Sequence, residues 1–284
     1  MLASELYRKL DRDFDITNIN DDWSFMDLND NICPEFKTKY MGLVLDNSEH
    51  IKKVYTAVFP NTEIIEKILA GDEQDVLLFS HHAMGYSGST DGFPFYDIPV
   101  EILKEMKKRR ISFYVLHAPL DKNGEYSTSV SLAGALGLDI IDEFCLYDNI
   151  KVGVICKTDI TSAVDFADYV SKMIGHEVKL RQYGKPEIKK NLVGLAAGGG
   201  SYPFVATELA ELGINLYLTG FTRPLPHFRP TMDFHRIAEE NFINVVGATH
   251  YTTEKYACMA MVDYFRELGL PAEFLEGNYC LEDL

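Results

Sequence analysis

Short apolar runs alternate with amphipathic stretches along most of this chain, and this alternation narrows the possible folds more than any other feature. Residues 75–80 read DVLLFS and residues 111–116 read ISFYVL. Runs this short, bounded by polar or glycine residues and rich in aliphatic and aromatic side chains, are the pattern of strands covered on both faces. Further strands are predicted at 41–45, 54–59, 152–156, 192–196, 215–219, 243–246 and 272–275. Helical periodicity marks 4–14, 62–69, 98–110, 129–136, 162–174, 204–212, 234–241 and 253–268. Strands and helices in alternation build α/β layers. The polar stretch 176–191 (HEVKLRQYGKPEIKKN), which contains Gly184 and Pro186, reads as a linker. The expectation is therefore two α/β lobes with layered mixed sheets, the first over residues 1–180 and the second over 190–284.

With 284 residues the chain sits where one core tends to divide in two. Forty-three acids against 27 bases give a formal charge of −16. That field repels phosphate backbones, which disfavours nucleic acid and anionic membranes as partners, although a bound dication reverses the potential locally. The cysteines, Cys33, Cys145, Cys156, Cys258 and Cys280, are scattered singly with no C-x-x-C pair, as expected for reduced thiols. Residues 1–14 interleave acids and bases without an apolar core, and no apolar run approaches the roughly 20 residues that span a bilayer. The expected location is the cytoplasm.

Three strands end in metal-ligating residue types: DVLLFS-HH (His81, His82), ISFYVL-HAPLD (His117, Asp121) and INVVGAT-HYTTE (His250, Glu254). Ligands of α/β sheets bind beyond the carboxyl ends of strands, so a site is expected there, between the lobes. Adjacent histidines diverge, which suits two neighbouring metals better than one, and a mixed imidazole–carboxylate set suits Zn, Fe or Mn. Each residue alone also fits a structural role. A strand-end histidine can simply pack, Glu254 can complement a helix dipole behind an N-cap at Thr252 or Thr253, and Asp121 in PLDKNG can form a turn. Recurrence at three strand ends favours the site.

The segments FSHHAMG, VLHAPLD and GATHYTTE, in this order and at these separations, resemble the Nif-three-like dimetal family, whose members are often labelled GTP cyclohydrolase I type 2 homologues. The likeness runs from about residue 41 to 276 and takes in GLAAGGGS and YLTGF. It implies two divalent metal ions per chain, held by His81, His82, Asp121, His250 and Glu254. His117 would lie at the edge of the site as a further ligand, a neighbour of the ligands or the general acid–base. It implies a metal-dependent hydrolase of a nucleotide-like or phosphorylated small molecule, and a homohexameric ring built as a trimer of dimers. In the family's labelled reaction, activated water opens the guanine ring of GTP. Two departures stand out. Ala83, Met84 and Gly85 follow the paired histidines where the family usually has proline and a bulky apolar residue. A long loop, FTRPLPHFRPTMDFH, carries Arg223, His227, Arg229 and His235 where the family has a short one. These positions are expected at the pocket mouth.

Gly198, Gly199, Gly200 and Ser201 form either a phosphate cradle or a plain tight turn, since the run lacks the Lys-Ser/Thr of a P-loop. Arg223 and Arg229 are either an anion clamp or solvated loop residues, and residues 107–110 (KKRR) read as a basic helix end. Two rivals to the hydrolase remain. One is a non-catalytic metal-binding or regulatory scaffold for a protein partner, which predicts a closed metal site and an exposed apolar patch. The other is a metal-free nucleotide module built on the glycine loop.

Overall fold

The computed structural model describes residues 1–88 and 93–284. Its chain forms two compact units, Met1–Leu120 with Cys258–Asn278, and Asp121–Ala257 with Tyr279–Leu284.

The first unit contains α1 (Ala3–Asp13), α2 (Phe36–Lys39), β1 (Gly42–Leu45), β2 (Lys53–Ala57), α3 (Thr62–Ala70), β3 (Val76–Ser80), the short pair β4 (Gly85–Tyr86) and β5 (Phe95–Tyr96), α4 (Val100–Lys108) and β6 (Ile111–Val115). A single turn, α5 (Ala118–Asp121), leads out of it. The second unit runs through α6 (Thr128–Ala135), β7 (Asp139–Tyr147), β8 (Ile150–Lys157), α7 (Ala163–Ile174), β9 (Lys179–Arg181), β10 (Leu192–Ala196), α8 (Pro203–Leu212), β11 (Leu216–Thr219), α9 (Arg229–Glu240) and β12 (Asn244–Gly247). The chain then enters α10 (His250–Glu267) and β13 (Ala272–Phe274).

Among the described residues, the first unit's sheet has the order β1-β6-β3-β2-β13. β6, β3, β2 and β13 are parallel neighbours, and β1 lies antiparallel on β6. One face buries Tyr55, Val76, Leu78, Ile111 and Phe113 beside Ile65 and Ile68 of α3 and Leu103 and Met106 of α4. Strand side chains alternate between faces, so Phe79 and Tyr114 point the other way. Phe79 meets Phe265 of α10 edge-on at 5.4 Å, and Tyr114 donates a 2.5 Å hydrogen bond to Asp11 of α1.

The second sheet has the order β7-β8-β10-β11-β12-β9, with β10, β11 and β12 parallel and the outer pairings antiparallel. Leu216, Leu218 and Val246 pack against α6 and α7, whereas Tyr217 and Val245 pack against α8 and α9. This is the period-two split expected of a sheet covered on both sides. The sheets are mixed and layered, as the alternation predicts. Among the described residues, no helix is long and apolar enough to cross a membrane.

Two features differ from the sequence reading. Residues 176–191 are not a linker, because β9 within them pairs antiparallel with β12 and completes the second sheet. The chain instead passes between units three times, at Leu120 and Asp121, at Ala257 and Cys258, and at Asn278 and Tyr279. Strand β7 escaped notice because residues 139–143 are exposed and include three acids, leaving no apolar run. It is held by β8 through a hairpin whose two turn residues, Asp148 and Asn149, both have positive φ (44° and 69°). That geometry matches the twist of paired strands, and Asp and Asn tolerate it.

Candidate metal centre

In the first unit, β3 and β6 are parallel neighbours, with Ser80 opposite Val115. The residues that follow each strand therefore emerge at the same carboxyl end. His81 and His82 continue the ladder toward β2, donating backbone N–H bonds to the carbonyls of Ala57 (3.1 Å) and Val58 (3.0 Å). Leu116 donates to Ser80 O at 3.1 Å, which sets His117 alongside them. The three imidazole centroids lie 4.5 Å (His81–His82), 5.0 Å (His81–His117) and 4.8 Å (His82–His117) apart. One ligand nitrogen from each ring lies within 4.8 Å of the others. His81 is 0% and His82 1% exposed.

Two of these rings are oriented by groups behind them. His81 Nδ1 is 2.9 Å from Leu116 O, which requires Nδ1–H and leaves Nε2 with the lone pair. His117 Nδ1 is 2.9 Å from the carboxylate of Asp21. Asp21 also accepts the backbone N–H groups of Ala118 (3.2 Å) and Asp22 (2.9 Å). Burial pushes the Asp21 carboxyl up, but the His117 ring and these N–H groups outweigh it and hold the group below the usual carboxylate range. A carboxylate behind an imidazole is the common outer support of a metal ligand. Aromatic rings close the rest of the cluster: Phe59 stacks on His82 at 4.4 Å, and Trp23 stands edge-on to His117 at 4.9 Å and to His82 at 5.6 Å.

In the second unit, β10, β11 and β12 are in register at Ala196, Thr219 and Gly247, so the glycine run, Gly220 and His250 all leave the carboxyl end of one parallel set. Helix α10 begins at His250 itself, not near residue 253. Its cap is Thr249, not Thr252 or Thr253: Thr249 Oγ1 accepts Thr252 N–H at 3.4 Å, and its φ is +62°. Positive φ is costly for a β-branched residue and is held only by strong surroundings. Here the Thr249 carbonyl accepts both the backbone N–H and the hydroxyl of Thr253, and Asp283 Oδ2 accepts the His250 N–H at 2.9 Å. Starting the helix at His250 puts Glu254 one turn above it, and the two side chains meet at 3.0 Å (Nε2 to Oε1). Glu254 is 3% exposed.

The glycine run turns out to be the floor beneath this pair. Gly198 donates its N–H to Thr253 Oγ1 at 2.9 Å, and a β-carbon there would overlap Glu254 Oε1 and lie 3.4 Å from His250 Nε2. The run's leading amide is engaged inside the protein, and Ser201 N–H closes back on Gly199 O at 2.9 Å, as in a tight turn. Asp121 accepts a 2.9 Å hydrogen bond from Thr128 at the start of α6.

One residue of the long loop departs from the expectation of a pocket mouth. This residue, His235, is only 7% exposed, bonded to Thr222 O (2.8 Å) and to Tyr183 Oη (2.9 Å). Arg229 opens α9 and pairs with Asp233 at 3.2 Å, and the Arg223 backbone N–H bonds Asp283 O at 2.9 Å.

Among the described residues, the donors present fit a divalent transition metal: buried imidazoles with the tautomer of His81 fixed and His117 braced by a carboxylate, and a carboxylate–imidazole pair on a capped helix. Asp21, Thr249 and Asp283 were not visible as site residues in the sequence, and Gly198 was visible only as part of a glycine turn or phosphate cradle. Asp21 lies in an acidic stretch with no periodicity, and Asp283 acts across 33 residues of chain.

The sequence model of the Duf34/NIF3 family, described as NGG1p interacting factor 3, matches residues 28–277. A curated relative from Archaeoglobus fulgidus, named GTP cyclohydrolase 1 type 2 homolog, is 27% identical over 285 residues, covering 97% of this chain and 98% of its own. Among solved structures, protein ybgI superposes with a TM-score of 0.74 at 18% identity, over 99% of this chain and 100% of its own. TTHA1606 from Thermus thermophilus does so at 0.70 and 24% identity, again over 99% and 100%. At such identities the structural likeness speaks for the fold.

Proposed function

The chain belongs to the Duf34/NIF3 family, and from that membership together with the site we propose a metal-dependent hydrolase holding two divalent ions and acting on a nucleotide-like or phosphorylated small molecule. The observation that carries the reading is the cluster of His81, His82 and His117 at adjoining strand ends, the first two buried and His117 partly so, with His81 braced by a carbonyl and His117 by a carboxylate. The ligand set assigned is His81, His82, Asp121, His250 and Glu254, an N/O set suited to Zn, Fe or Mn. When bound, such ions supply Lewis-acid polarisation and a water acidic enough to be deprotonated near neutral pH.

His117 is assigned the proton transfer. Its Nδ1 is tied to Asp21, so the ring presents Nε2 as the group that takes up or gives back a proton. Substrate preference for nucleotides follows the name carried by the curated relatives. A homohexamer is part of the same reading, supported by the apolar residues Ile141, Leu146 and Tyr147 exposed (46%, 58% and 47%) on the outer strand β7.

The test is elemental analysis of protein purified without added metal or chelator, beside His82→Ala, Glu254→Ala and His117→Ala. Wild type should hold about two ions per chain. The first two variants should lose them, whereas His117→Ala should keep metal while losing hydrolysis of phosphoesters or nucleotides. A wild-type protein with little metal that resists reloading would overturn the proposal.

A further inference from the structure

Between α1 and α2 the chain forms no helix or strand. It is anchored at one end by Ile16 N–H on Asp11 O (3.1 Å) and at the other by Cys33 N–H on Val44 O of β1 (2.9 Å). Residues 19–28, inside this stretch, lie beside the histidine cluster. Among the described residues, three hydrogen bonds tie them to the rest of the chain: Asp21 Oδ2 accepts from His117 Nδ1 (2.9 Å) and from Ala118 N–H (3.2 Å), and Asp27 N–H donates to Asp97 Oδ1 (3.0 Å). Their other bonds are internal and move with them: Asp22 N–H to Asp21, Ser24 N–H to Asp22 and Met26 N–H to Trp23 O. Of the rings that close the cluster, Phe59 follows β2 and Phe95 lies in β5, whereas Trp23 belongs to this loosely tied stretch. It stands edge-on to His117 at 4.9 Å and to His82 at 5.6 Å. Burial of Trp23 and Met26 holds the stretch down, yet among the described residues the indole Nε1 is buried with no hydrogen-bond partner. Water would satisfy that donor once the ring lifts, so the closed form forgoes a bond that an open form makes. Few ties to the fold and a donor relieved on opening are the marks of a segment that opens locally.

We propose that residues 19–28 are a strap that gates the histidine cluster, and that closing the strap completes the site. Asp21 and Trp23 are carried by the same short stretch, so lifting the ring from His82 and His117 also withdraws the carboxylate from His117 Nδ1. A metal ion or substrate then enters while the proton-transfer group is unbraced, and the brace returns only as the strap shuts and water is excluded. The strap rests on the metal-site reading for what passes it, but its opening can be measured on metal-free protein, so the two can fail separately.

Two amides two residues apart read the strap. Ala118 N–H is held by Asp21, whereas Leu116 N–H is held by Ser80 O at 3.1 Å in the β3–β6 ladder. In amide exchange of metal-free protein followed by NMR, Ala118 should be protected only about 10- to 1,000-fold, as for an open form populated at about 0.1–10%, and Leu116 far more. Asp97→Ala removes one tie without touching Asp21, Trp23 or a histidine, and should speed Ala118 exchange about 2- to 12-fold, the equivalent of one net hydrogen bond. Asp97→Asn keeps an acceptor and should exchange as wild type does. Zinc-loaded Asp97→Ala should start with the wild-type zinc content and release it to EDTA faster by the same factor as its Ala118 exchange. Ala118 exchanging as slowly as Leu116 would overturn the strap. So would an Asp97→Ala protein that exchanges faster at Ala118 but releases zinc at the wild-type rate, because the stretch would then move without gating. A wild type that takes up no zinc but exchanges Ala118 ahead of Leu116, and faster in Asp97→Ala, would support the strap while removing the metal reading.

Discussion

The floor of glycines beneath His250 and Glu254 yields a graded prediction at three positions of one segment pair. At Gly198, φ is +70° and a β-carbon would overlap Glu254 Oε1 and approach its Cδ to 3.2 Å. The left-handed conformation costs an alanine about 1–2 kcal/mol by itself, and the overlap can be relieved only by moving the carboxylate. For a chain of this size each kcal/mol lowers Tm by about 2–4 °C, so Gly198→Ala should melt about 2–8 °C below wild type. Displacing Glu254 should also cost about 10-fold or more in metal affinity. At Gly220 the added carbon would sit 2.5 Å from Thr253 Oγ1, 2.6 Å from Gly198 O and 2.8 Å from Thr249 O. Two of those neighbours are backbone and cannot rotate away, so Gly220→Ala should be the most destabilised of the set, by about 3 kcal/mol. At Gly199 nothing lies within 4 Å, and Gly199→Ala should stay within about 0.5 kcal/mol of wild type. Differential scanning calorimetry and elemental analysis of the three proteins read both quantities. A Gly198→Ala variant with the melting temperature and metal content of Gly199→Ala would refute the account of the floor.

Three further outcomes are expected. Burial first, and the Arg181 charge second, lower the His235 pKa to about 4. A ring neutral in the fold but protonated in the unfolded chain stabilises the fold fully above its ordinary pKa and loses that stability as pH falls from about 6.5 to about 4, up to about 3 kcal/mol in all. The stability gap between wild type and His235→Gln in urea should therefore shrink over that window, and a constant gap would contradict it. Asp21→Asn keeps the shape but weakens the brace behind His117, so hydrolytic turnover should drop about 10- to 100-fold while metal content stays at the wild-type level; unchanged turnover would remove Asp21 from the site. Asp283→Ala leaves the His250 N–H without its carboxylate and should lower stability by about 1 kcal/mol, seen as a Tm about 2–4 °C lower; an unshifted transition would show that the cap contributes nothing.

What could be read from residues alone was whatever repeats locally. The runs DVLLFS and ISFYVL marked β3 and β6 because a strand buried on both faces has no choice but to be apolar, and the ligand types after each run then fell at strand ends. Period and charge say nothing about pairing across the chain. That is why β9, three residues inside a polar stretch, looked like linker, and why β7 with its exposed acids looked like nothing. The same limit hid Asp21, whose partner is 96 residues away, and Asp283, whose partner is 33 away. The start of α10 was missed because threonines usually cap helices, and Thr249 does so in a backbone conformation that its side chain disfavours. The loop histidine His235 looked functional because histidine in a polar loop is usually wet; it is instead a neutral core residue fixed by Tyr183 and Thr222.

Synthesis runs from one end, and the parallel pairing of β13 with β2 sets an order on it. By the time Ala57 has left the ribosome, β2 exists, but the strand that covers its outer edge arrives only with residues 272–274. During that interval β2 presents a row of unpaired backbone groups, the kind of edge that recruits other chains. The intervening stretch, Asp121–Ala257, is nearly contiguous and can close most of its own sheet while the first unit waits. Nascent chains halted shortly before residue 272 should therefore be markedly more dependent on chaperones than chains only a few residues longer.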